Sequence, residues 1–231
     1  MLKKKKQAPS NKMRHLITKL NPRSPISEQY RTIRTNLQFS SVDEDLQSLL
    51  VTSPGPGAGK SITAANLAVV YAQQGLKTLL IDADLRKPTV HYTFRLNNLR
   101  GLSNVLIGSN SLEESVEKTD VDDLEVLSCG PIPPNPAELL ASKKMEKTLQ
   151  DAYRLYDIVI FDTPPTLAVA DARILANIVD GSLVVIRSKV TQIEEAERTI
   201  QIMQEGQARL LGTVLNDREK TNATYHYYYG S

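Results

Sequence analysis

The stretch that decides the fold is Ser53-Pro54-Gly55-Pro56-Gly57-Ala58-Gly59-Lys60-Ser61, which lies between a β-branched apolar run and a helix-like segment. Gly57 and Gly59 let the backbone turn its N–H groups inward without Cβ clashes, and the following helix presents its positive end to an anion. Lys60 would then reach the β- and γ-phosphates of a nucleotide, and the Ser61 hydroxyl would ligate Mg²⁺. The general pattern has a glycine where this chain has Pro54, and an ordinary Gly-Pro loop is the alternative; we predict a phosphate-binding loop, hereafter the phosphate loop.

Aspartates end two further apolar runs. In Leu79-Leu80-Ile81-Asp82-Ala83-Asp84, the two carboxylates are two residues apart and therefore share one face of a strand. Ile158-Val159-Ile160-Phe161-Asp162 is the Walker B pattern, in which the carboxylate holds Mg²⁺ directly or through water. We expect these three aspartates, the carboxylate cluster, at the sheet edge where open α/β folds bind ligands. The alternative is that Asp82 and Asp84 cap the next segment or pair with the basic residues at 86 and 87.

Apolar runs alternate with helix-like segments along the 231 residues, which predicts one α/β domain of the P-loop NTPase class, with a mostly parallel sheet and helices on both faces. The expected strands are Ser48–Ser53, Thr78–Ala83, Leu124–Ser128, Asp157–Asp162, Ser182–Arg187 and Leu210–Asn216. The expected helices are Glu28–Phe39, Lys60–Gln74, Pro136–Tyr153, Val169–Asn177 and Gln192–Glu205. Asn135 is the expected N-cap of the third helix, with Pro136 at its first position and Glu138 completing a capping box.

Charge is uneven, because eight Lys or Arg fall between Lys3 and Arg23 and no acidic residue precedes Glu28. We expect a basic flexible arm over residues 1–24, the P-loop domain over 25–218 and a flexible tyrosine-rich tail over 219–231. The other interpretation of the arm is attraction to an anionic membrane surface. Nucleic acid is not an expected partner, since the arm has no aromatic residue to stack on bases.

The chain has no apolar run long enough to span a membrane and no secretory signal, so a cytoplasmic location is expected. Cys129 is the single cysteine and forms neither a disulfide nor a thiolate zinc site. It is expected to be a small buried hydrophobe.

Four of the nine tyrosines stand in the last seven residues, at Tyr225, Tyr227, Tyr228 and Tyr229. The terminus is too polar and short to bury these rings, and each phenolic hydroxyl is a potential phosphoryl acceptor. A tyrosine tail after a nucleotide-binding domain suggests a chain that is both enzyme and substrate.

Four features together resemble the bacterial tyrosine kinases of capsule and exopolysaccharide systems: the Asp-x-Asp strand end, Asp162-Thr163-Pro164-Pro165, the stretch Gly130-Pro131-Ile132-Pro133-Pro134-Asn135-Pro136-Ala137-Glu138-Leu139-Leu140, and the tyrosine tail. The resemblance extends from about Ser27 to Gly230. It is closest to the Gram-positive type, whose transmembrane activator is a separate polypeptide. It implies a fold related to the partitioning and division-site ATPases, with ATP and Mg²⁺ as cofactors.

The resemblance also implies roles for residues of this chain. The nucleotide would be bound by Gly55, Pro56, Gly57, Ala58, Gly59, Lys60, Ser61 and Ile62, with Asn216 recognising adenine. The metal would be held by Ser61, Asp84 and Asp162, and the catalytic residues would be Lys60, Asp82 and Asp84. A tyrosine hydroxyl, with a pKa near ~10, needs a base or positive charge to attack at neutral pH. Asp82 is the candidate base and Asp84 assists the metal, although the two roles could be exchanged.

Glu28, Arg31 and Arg34 match the Glu-x-x-Arg-x-x-Arg helix that joins subunits of the family into a ring; without the resemblance they would indicate an exposed salt-bridged helix. The implied partners are copies of the chain itself, a polysaccharide co-polymerase-type activator that recruits it to the inner face of the plasma membrane, a tyrosine phosphatase and other protein substrates. Autophosphorylation between subunits would then regulate polysaccharide synthesis.

Two other functions remain open from the sequence. One is a positioning or partitioning ATPase that phosphorylates no protein, although such proteins usually carry a lysine where this chain has Gly55. The other is an adaptor that binds nucleotide only to assemble. Conventional protein kinases are excluded, since the chain has neither the His-Arg-Asp nor the Asp-Phe-Gly motif.

Overall fold

The computed structural model describes residues 16–40 and 46–219. The strands are β1 (Ser48–Thr52), β2 (Thr78–Asp82), β3 (Glu117–Lys118), β4 (Leu124–Leu127), β5 (Ile158–Asp162), β6 (Gly181–Arg187) and β7 (Arg209–Asn216). The helices are α1 (Ile17–Leu20), α2 (Pro25–Phe39), α3 (Lys60–Ala72), α4 (Val90–Phe94), α5 (Leu102–Ile107), α6 (Pro136–Leu140), α7 (Lys143–Tyr153), α8 (Asp171–Leu175) and α9 (Ile193–Gln204).

The seven strands form one sheet in the order β3-β4-β2-β5-β1-β6-β7, parallel except for the short β3. The phosphate loop follows β1, which lies between β5 and β6. β2 and β5 are neighbours, and Asp82 is the register partner of Asp162. The predicted α/β architecture is confirmed, and all three motifs end at the same edge of the sheet.

Helices cover both faces of the sheet, because alternate residues of each central strand point to opposite sides. In β5, Val159 and Phe161 join a core formed with α5 to α9, whereas Ile158 and Ile160 join a core formed with α1 to α4. Strands buried on both faces need apolar residues at nearly every position, which explains their uninterrupted apolar runs.

The expected helix Pro136–Tyr153 is two helices, which is a correction to the sequence prediction. Ser142 caps the second, because its side-chain oxygen accepts a hydrogen bond from the Met145 N–H (3.3 Å) and starts a new helix. Asn135 and Pro136 occupy the expected N-cap and first positions, but the predicted capping box is wrong. The Asn135 side chain donates instead to the carboxylate of Glu138 (2.7 Å) and caps no backbone group.

Packing begins earlier than the expected boundary at residue 24. Leu16 and Thr18 are buried, and the Thr18 hydroxyl donates to the side-chain oxygen of Asn66 in α3 (2.8 Å). Ser27 donates to the carbonyl of Asn21 (2.7 Å), which fastens the connection to α2. Residues 16–24 are therefore part of the domain. The sequence prediction missed this because the segment is short and polar and shows no hydrophobic pattern.

The remaining differences are small. The expected helix Val169–Asn177 is the shorter α8, and α4, α5 and β3 were not predicted because each is too short to show a period. Cys129 is buried as expected, and burial, reinforced by the charges of Asp82 and Asp84, raises the pKa of its thiol to about 12. Across residues 16–40 and 46–219, no helix has the length and apolar character of a membrane span.

Candidate active site

The phosphate loop takes its shape from two glycines in the left-handed region. Gly57 has φ +78° and Gly59 has φ +98°, and Gly59 is the N-cap of α3. A Cβ atom at Gly59 would lie 2.1 Å from the amide nitrogen of Asn216, so a side chain there would clash as well as strain the backbone. The positive φ angles fall at positions 57 and 59, which is why Pro54 is tolerated at the position where the general pattern has glycine.

Lys60 stands at the centre of the residues that the sequence singled out. Its Nζ lies 3.2 Å from Asp84 Oδ2, Asp162 Oδ1 and Ser61 Oγ. Burial alone would lower the pKa of Lys60, but the charges of Asp162 and Asp84 outweigh it and raise that pKa. The ammonium group therefore stays charged at neutral pH and offsets part of the negative charge of the two carboxylates.

Asp82 is buried beside this group and has one oxygen without a donor. Its Oδ2 accepts hydrogen bonds from the backbone N–H groups of Thr89 (2.8 Å) and Val90 (2.9 Å) at the start of α4. Its Oδ1 has no hydrogen-bond partner in the part of the chain that the structure describes. Burial, reinforced by the charge of Asp162, raises the pKa of Asp82 to about 7. Burial therefore favours the protonated form of Asp82 over a wider pH range than for a carboxyl group in water.

Asp84 and Asp162 have different surroundings. Asp84 Oδ1 accepts from the backbone N–H of Lys87 (3.0 Å), so both of its oxygens are engaged. Asp162 is fully buried, and its Oδ2 has no hydrogen-bond partner among the described residues. Burial raises the pKa of Asp162, and the charge of Lys60 opposes that shift.

The donor set fits a magnesium ion that also binds a nucleotide. Ser61, Asp84 and Asp162 each lie 3.2 Å from Lys60 Nζ, and Asp162 Oδ2 is a buried acceptor that has no donor among the described residues. No three carboxylate, histidine or cysteine side chains in residues 16–40 and 46–219 form a metal site by themselves. That suits Mg²⁺, which proteins usually hold through one or two carboxylates together with substrate phosphates and water.

The segment after β5 is fastened to the strand that leads into the phosphate loop. The Thr163 hydroxyl donates to the Val51 carbonyl (3.0 Å), and the Thr52 hydroxyl donates to the Pro164 carbonyl (3.0 Å). The Thr166 N–H donates to the Ser53 carbonyl (2.9 Å). These bonds hold Asp162 and the phosphate loop in one rigid arrangement.

Asn216 ends β7 beside the phosphate loop, and its side-chain amide donates to the Ala58 carbonyl (2.9 Å). Its assignment to adenine stays a prediction. Gly55, Pro56 and Ile62 lie in or directly after the loop and are at least partly accessible. The tail tyrosines Tyr225, Tyr227, Tyr228 and Tyr229 lie outside the described residues.

The three expected interface residues lie on α2, where all three make contacts within the chain. Arg31 donates to the carboxylate of Glu28 (2.8 Å) and to the Pro22 carbonyl (2.7 Å). Arg34 donates to the Val70 carbonyl near the end of α3 (2.7 Å). A role between subunits stays a prediction, and Arg34 has in addition a role in holding α2 on α3.

Sequence reasoning missed the partner of Arg86. The guanidinium makes two hydrogen bonds to Asp171, from Nε to Oδ2 (2.9 Å) and from Nη2 to Oδ1 (3.0 Å). The alternative pairing of Arg86 with Asp82 or Asp84 is therefore not what the structure shows. Asp171 stands 85 residues away in sequence, and no local pattern marks it as buried.

Comparisons with known proteins identify the family and the fold of this chain. A family model described as an AAA domain matches residues 50–214. The chain is similar to the tyrosine-protein kinase YwqD of Bacillus subtilis (strain 168), with 51% identity over 98% of this chain and 96% of that protein. The crystal structure of the chimerical protein CapA2B2 is similar with a TM-score of 0.86 and 43% identity, covering 89% of this chain and 90% of that one. The septum site-determining protein MinD of Pyrococcus horikoshii OT3, complexed with Mg-ADP, shares the fold, with a TM-score of 0.66 and 20% identity over 77% of this chain and 72% of that one.

Proposed function

The chain belongs to the bacterial tyrosine-protein kinases of the capsule and exopolysaccharide family, and we propose that it transfers the γ-phosphoryl group of ATP to its own carboxyl-terminal tyrosines. Its activity is that of a protein-tyrosine kinase. The observation that carries the proposal is the convergence of Lys60 and Ser61 with the carboxylate cluster at the end of the phosphate loop.

Each residue of the site has a role that follows from its surroundings. The phosphate loop and Lys60 bind and orient the phosphates, and Ser61, Asp84 and Asp162 would hold Mg²⁺. When bound, Mg²⁺ neutralises charge on the transferring phosphoryl group. Asp82 is the better candidate for the base, because its Oδ1 has no donor whereas both oxygens of Asp84 are engaged. Its raised pKa, about 7, suits a group that accepts a phenolic proton at neutral pH.

The exit of the chain from the domain supports the tail as the substrate. After β7, Asp217 pairs with Arg187 (2.8 Å) and Glu219 pairs with Lys189, so the chain leaves toward the loop after β6. An extended chain covers about 3.3 Å per residue, so from Glu219 the tail can reach about 20 Å at Tyr225 and about 33 Å at Tyr229. The ends of β7 and β2 are four strand spacings apart, about 19 Å. The tail is therefore long enough to span the distance between the end of β7 and the carboxylate cluster.

We infer transfer between subunits of a ring, because assembly keeps many acceptors near each site at high effective concentration. Each tail phosphate adds about −1.5 to −2 charge, enough to loosen the ring by repulsion between tails. Cycles of assembly and release, reset by a phosphatase, would regulate polysaccharide synthesis. A transmembrane activator would recruit the chain to the membrane and stimulate it, and other proteins could serve as substrates.

Mass spectrometry of the tail tests this function. Wild type, Lys60→Met and Asp82→Asn would each be incubated with Mg²⁺-ATP and the cytoplasmic segment of the activator, and both variants should form far less phosphotyrosine than wild type. To test transfer between subunits, Lys60→Met protein with an intact tail is mixed with active protein whose four tail tyrosines are Phe. Phosphotyrosine on the Lys60→Met chain supports transfer between subunits; none there, with normal labelling of wild type, restricts transfer to the same chain. ATP hydrolysis by wild type without any phosphotyrosine would overturn the proposal in favour of a positioning ATPase.

A further inference from the structure

We propose that Arg86 is a positioning residue of the phosphoryl-transfer site, which acts through the buried carboxylate of Asp171 to fix the turn that carries Asp84. The inference rests on the proposed function, in which Asp84 is one of the residues that would hold Mg²⁺. Neither Arg86 nor Asp171 belongs to the set that binds the phosphates or the metal.

The pair is built as a bidentate ion pair with one buried partner. Nε and Nη2 of Arg86 each donate to a different oxygen of Asp171, at 2.9 and 3.0 Å. The Asp171 side chain is fully buried, whereas that of Arg86 is 39% exposed. A buried carboxylate needs its partner, so the position of Asp171 dictates where the guanidinium of Arg86 must lie.

Arg86 sits inside the turn that presents Asp84 to Lys60. The turn has three points of attachment: Asp84 Oδ1 accepts from the Lys87 N–H (3.0 Å), Leu85 is fully buried in the core, and Arg86 binds Asp171. With Oδ1 committed to Lys87, Oδ2 is the oxygen that faces Lys60 at 3.2 Å. The bond to Asp171 thus prevents the turn from rotating away from the site.

Asp171 is connected through the chain to β5, the strand that ends at Asp162. It is the first residue of α8, which follows the Asp162-Thr163-Pro164-Pro165 segment. That segment is fastened through Thr52 and Thr163 to β1. The pair therefore joins the end of β2 to the segment after β5, and it sets the separation of Asp84 from Asp162. A lysine could not do this, since its single ammonium group does not match both carboxylate oxygens.

The test is the gain in ADP affinity on adding Mg²⁺, measured with a fluorescent ADP and purified full-length protein. Arg86→Lys keeps the charge and removes the fork. Its affinity for ADP without Mg²⁺ should equal that of wild type, whereas the gain from Mg²⁺ should fall about 10- to 100-fold. In tail phosphorylation, Arg86→Lys should have a lower kcat than wild type and should need a higher Mg²⁺ concentration to reach it. Arg173→Lys is the matched control. Arg173 lies on α8, the helix that contains Asp171, but its ion pair with Glu205 (3.3 Å) is exposed, so this variant should behave as wild type.

A second variant guards against loss of folding. The double variant Arg86→Gln/Asp171→Asn removes both charges, so no buried charge is left without a partner. Its melting temperature should therefore be close to that of wild type, while its ADP affinity should no longer gain from Mg²⁺. Either variant with a wild-type gain would overturn the inference, as would an equal loss of affinity with and without Mg²⁺. If wild type binds Mg²⁺-ADP but labels no tyrosine, the proposed kinase reaction fails while the inference about Arg86 is still decided by the binding assay.

Discussion

Asp82 and Asp162 are register partners on adjacent parallel strands, and both side chains are completely buried. Parallel pairing places the last residues of β2 and β5 side by side, so two carboxylates lie together where water cannot screen them. Burial and mutual repulsion raise the pKa of Asp82, and Lys60 is the cation that opposes the same effect at Asp162. This placement favours the protonated form of Asp82 up to neutral pH, and under the proposed function Asp162 would help to hold Mg²⁺.

Asp82→Asn is expected to change how stability depends on pH. The folded pKa is about 7 against an ordinary value of 3.8, so between those values the folded state holds more protons than the unfolded state. The stability of wild type without nucleotide should therefore fall as pH rises from about 4 to 7. Asp82→Asn lacks this loss and should be more stable than wild type at pH 8, with a smaller difference at pH 4.5. Urea denaturation measures both.

The same variant should lose about 10²- to 10⁴-fold in tail phosphorylation, since it lacks the base. Asp151→Asn, which alters an exposed pair with Arg154, is the control and should change neither property. An Asp82→Asn protein with the same pH dependence of stability as wild type would contradict the assignment.

Lys60→Met should destabilise the nucleotide-free protein more at pH 8 than at pH 6. Without the ammonium group, Asp84 and Asp162 lose their shared cation and stay charged only at a cost of about 3–5 kcal/mol. Burial already raises the pKa of Asp162, so its protonation relieves part of that cost and the melting temperatures of the two proteins should converge at the lower pH. Lys147→Met on the exposed side of α7 is the control. Equal destabilisation at both pH values would mean that Lys60 does not balance the carboxylates.

Gly59→Ala should weaken nucleotide binding by about an order of magnitude. At the left-handed φ of +98°, any residue with a side chain is strained by about 1–2 kcal/mol. The new Cβ atom would also lie 2.1 Å from the amide nitrogen of Asn216, so that side chain would have to move. Gly75→Ala is a matched control, since Gly75 has φ +84° with nothing within 4 Å of its Cβ position. Titration with fluorescent ADP should show wild-type affinity for Gly75→Ala, at similar backbone strain. If Gly59→Ala bound ADP with wild-type affinity, the phosphate loop would accept a side chain at this position and the prediction would be wrong.

Arg34→Ala and Arg31→Ala should separate folding from assembly. Arg34 bonds the Val70 carbonyl, so its loss should lower the free energy of unfolding by about 1–2 kcal/mol at concentrations where the chain is monomeric. Arg31 pairs with Glu28 and donates to the Pro22 carbonyl, so its loss should cost about 1 kcal/mol and should in addition weaken self-association. Denaturation and sedimentation velocity measure the two effects. If Arg31→Ala assembles as wild type, the predicted interface is elsewhere.

The strand ends were predictable because a strand buried on both faces is a continuous apolar run, and an aspartate at its end stands out. Ser142 was missed because helical periodicity continues across residues 136–153, while the break depends on one side-chain cap. Asp171 was missed for a different reason: its burial depends on how α8 packs against the sheet. Local patterns give the strand ends, and only the packed structure gives the partners that orient them.

Lys60, held between Asp84 and Asp162, acts as a resident counter-ion. Lys60 balances one of the two negative charges of Asp84 and Asp162 before any ligand arrives, so part of their repulsion is relieved without nucleotide. A ligand that draws the lysine toward its own phosphates must bring positive charge to the carboxylates in exchange. The site is therefore arranged to discriminate against a bare, metal-free nucleotide through charge balance alone.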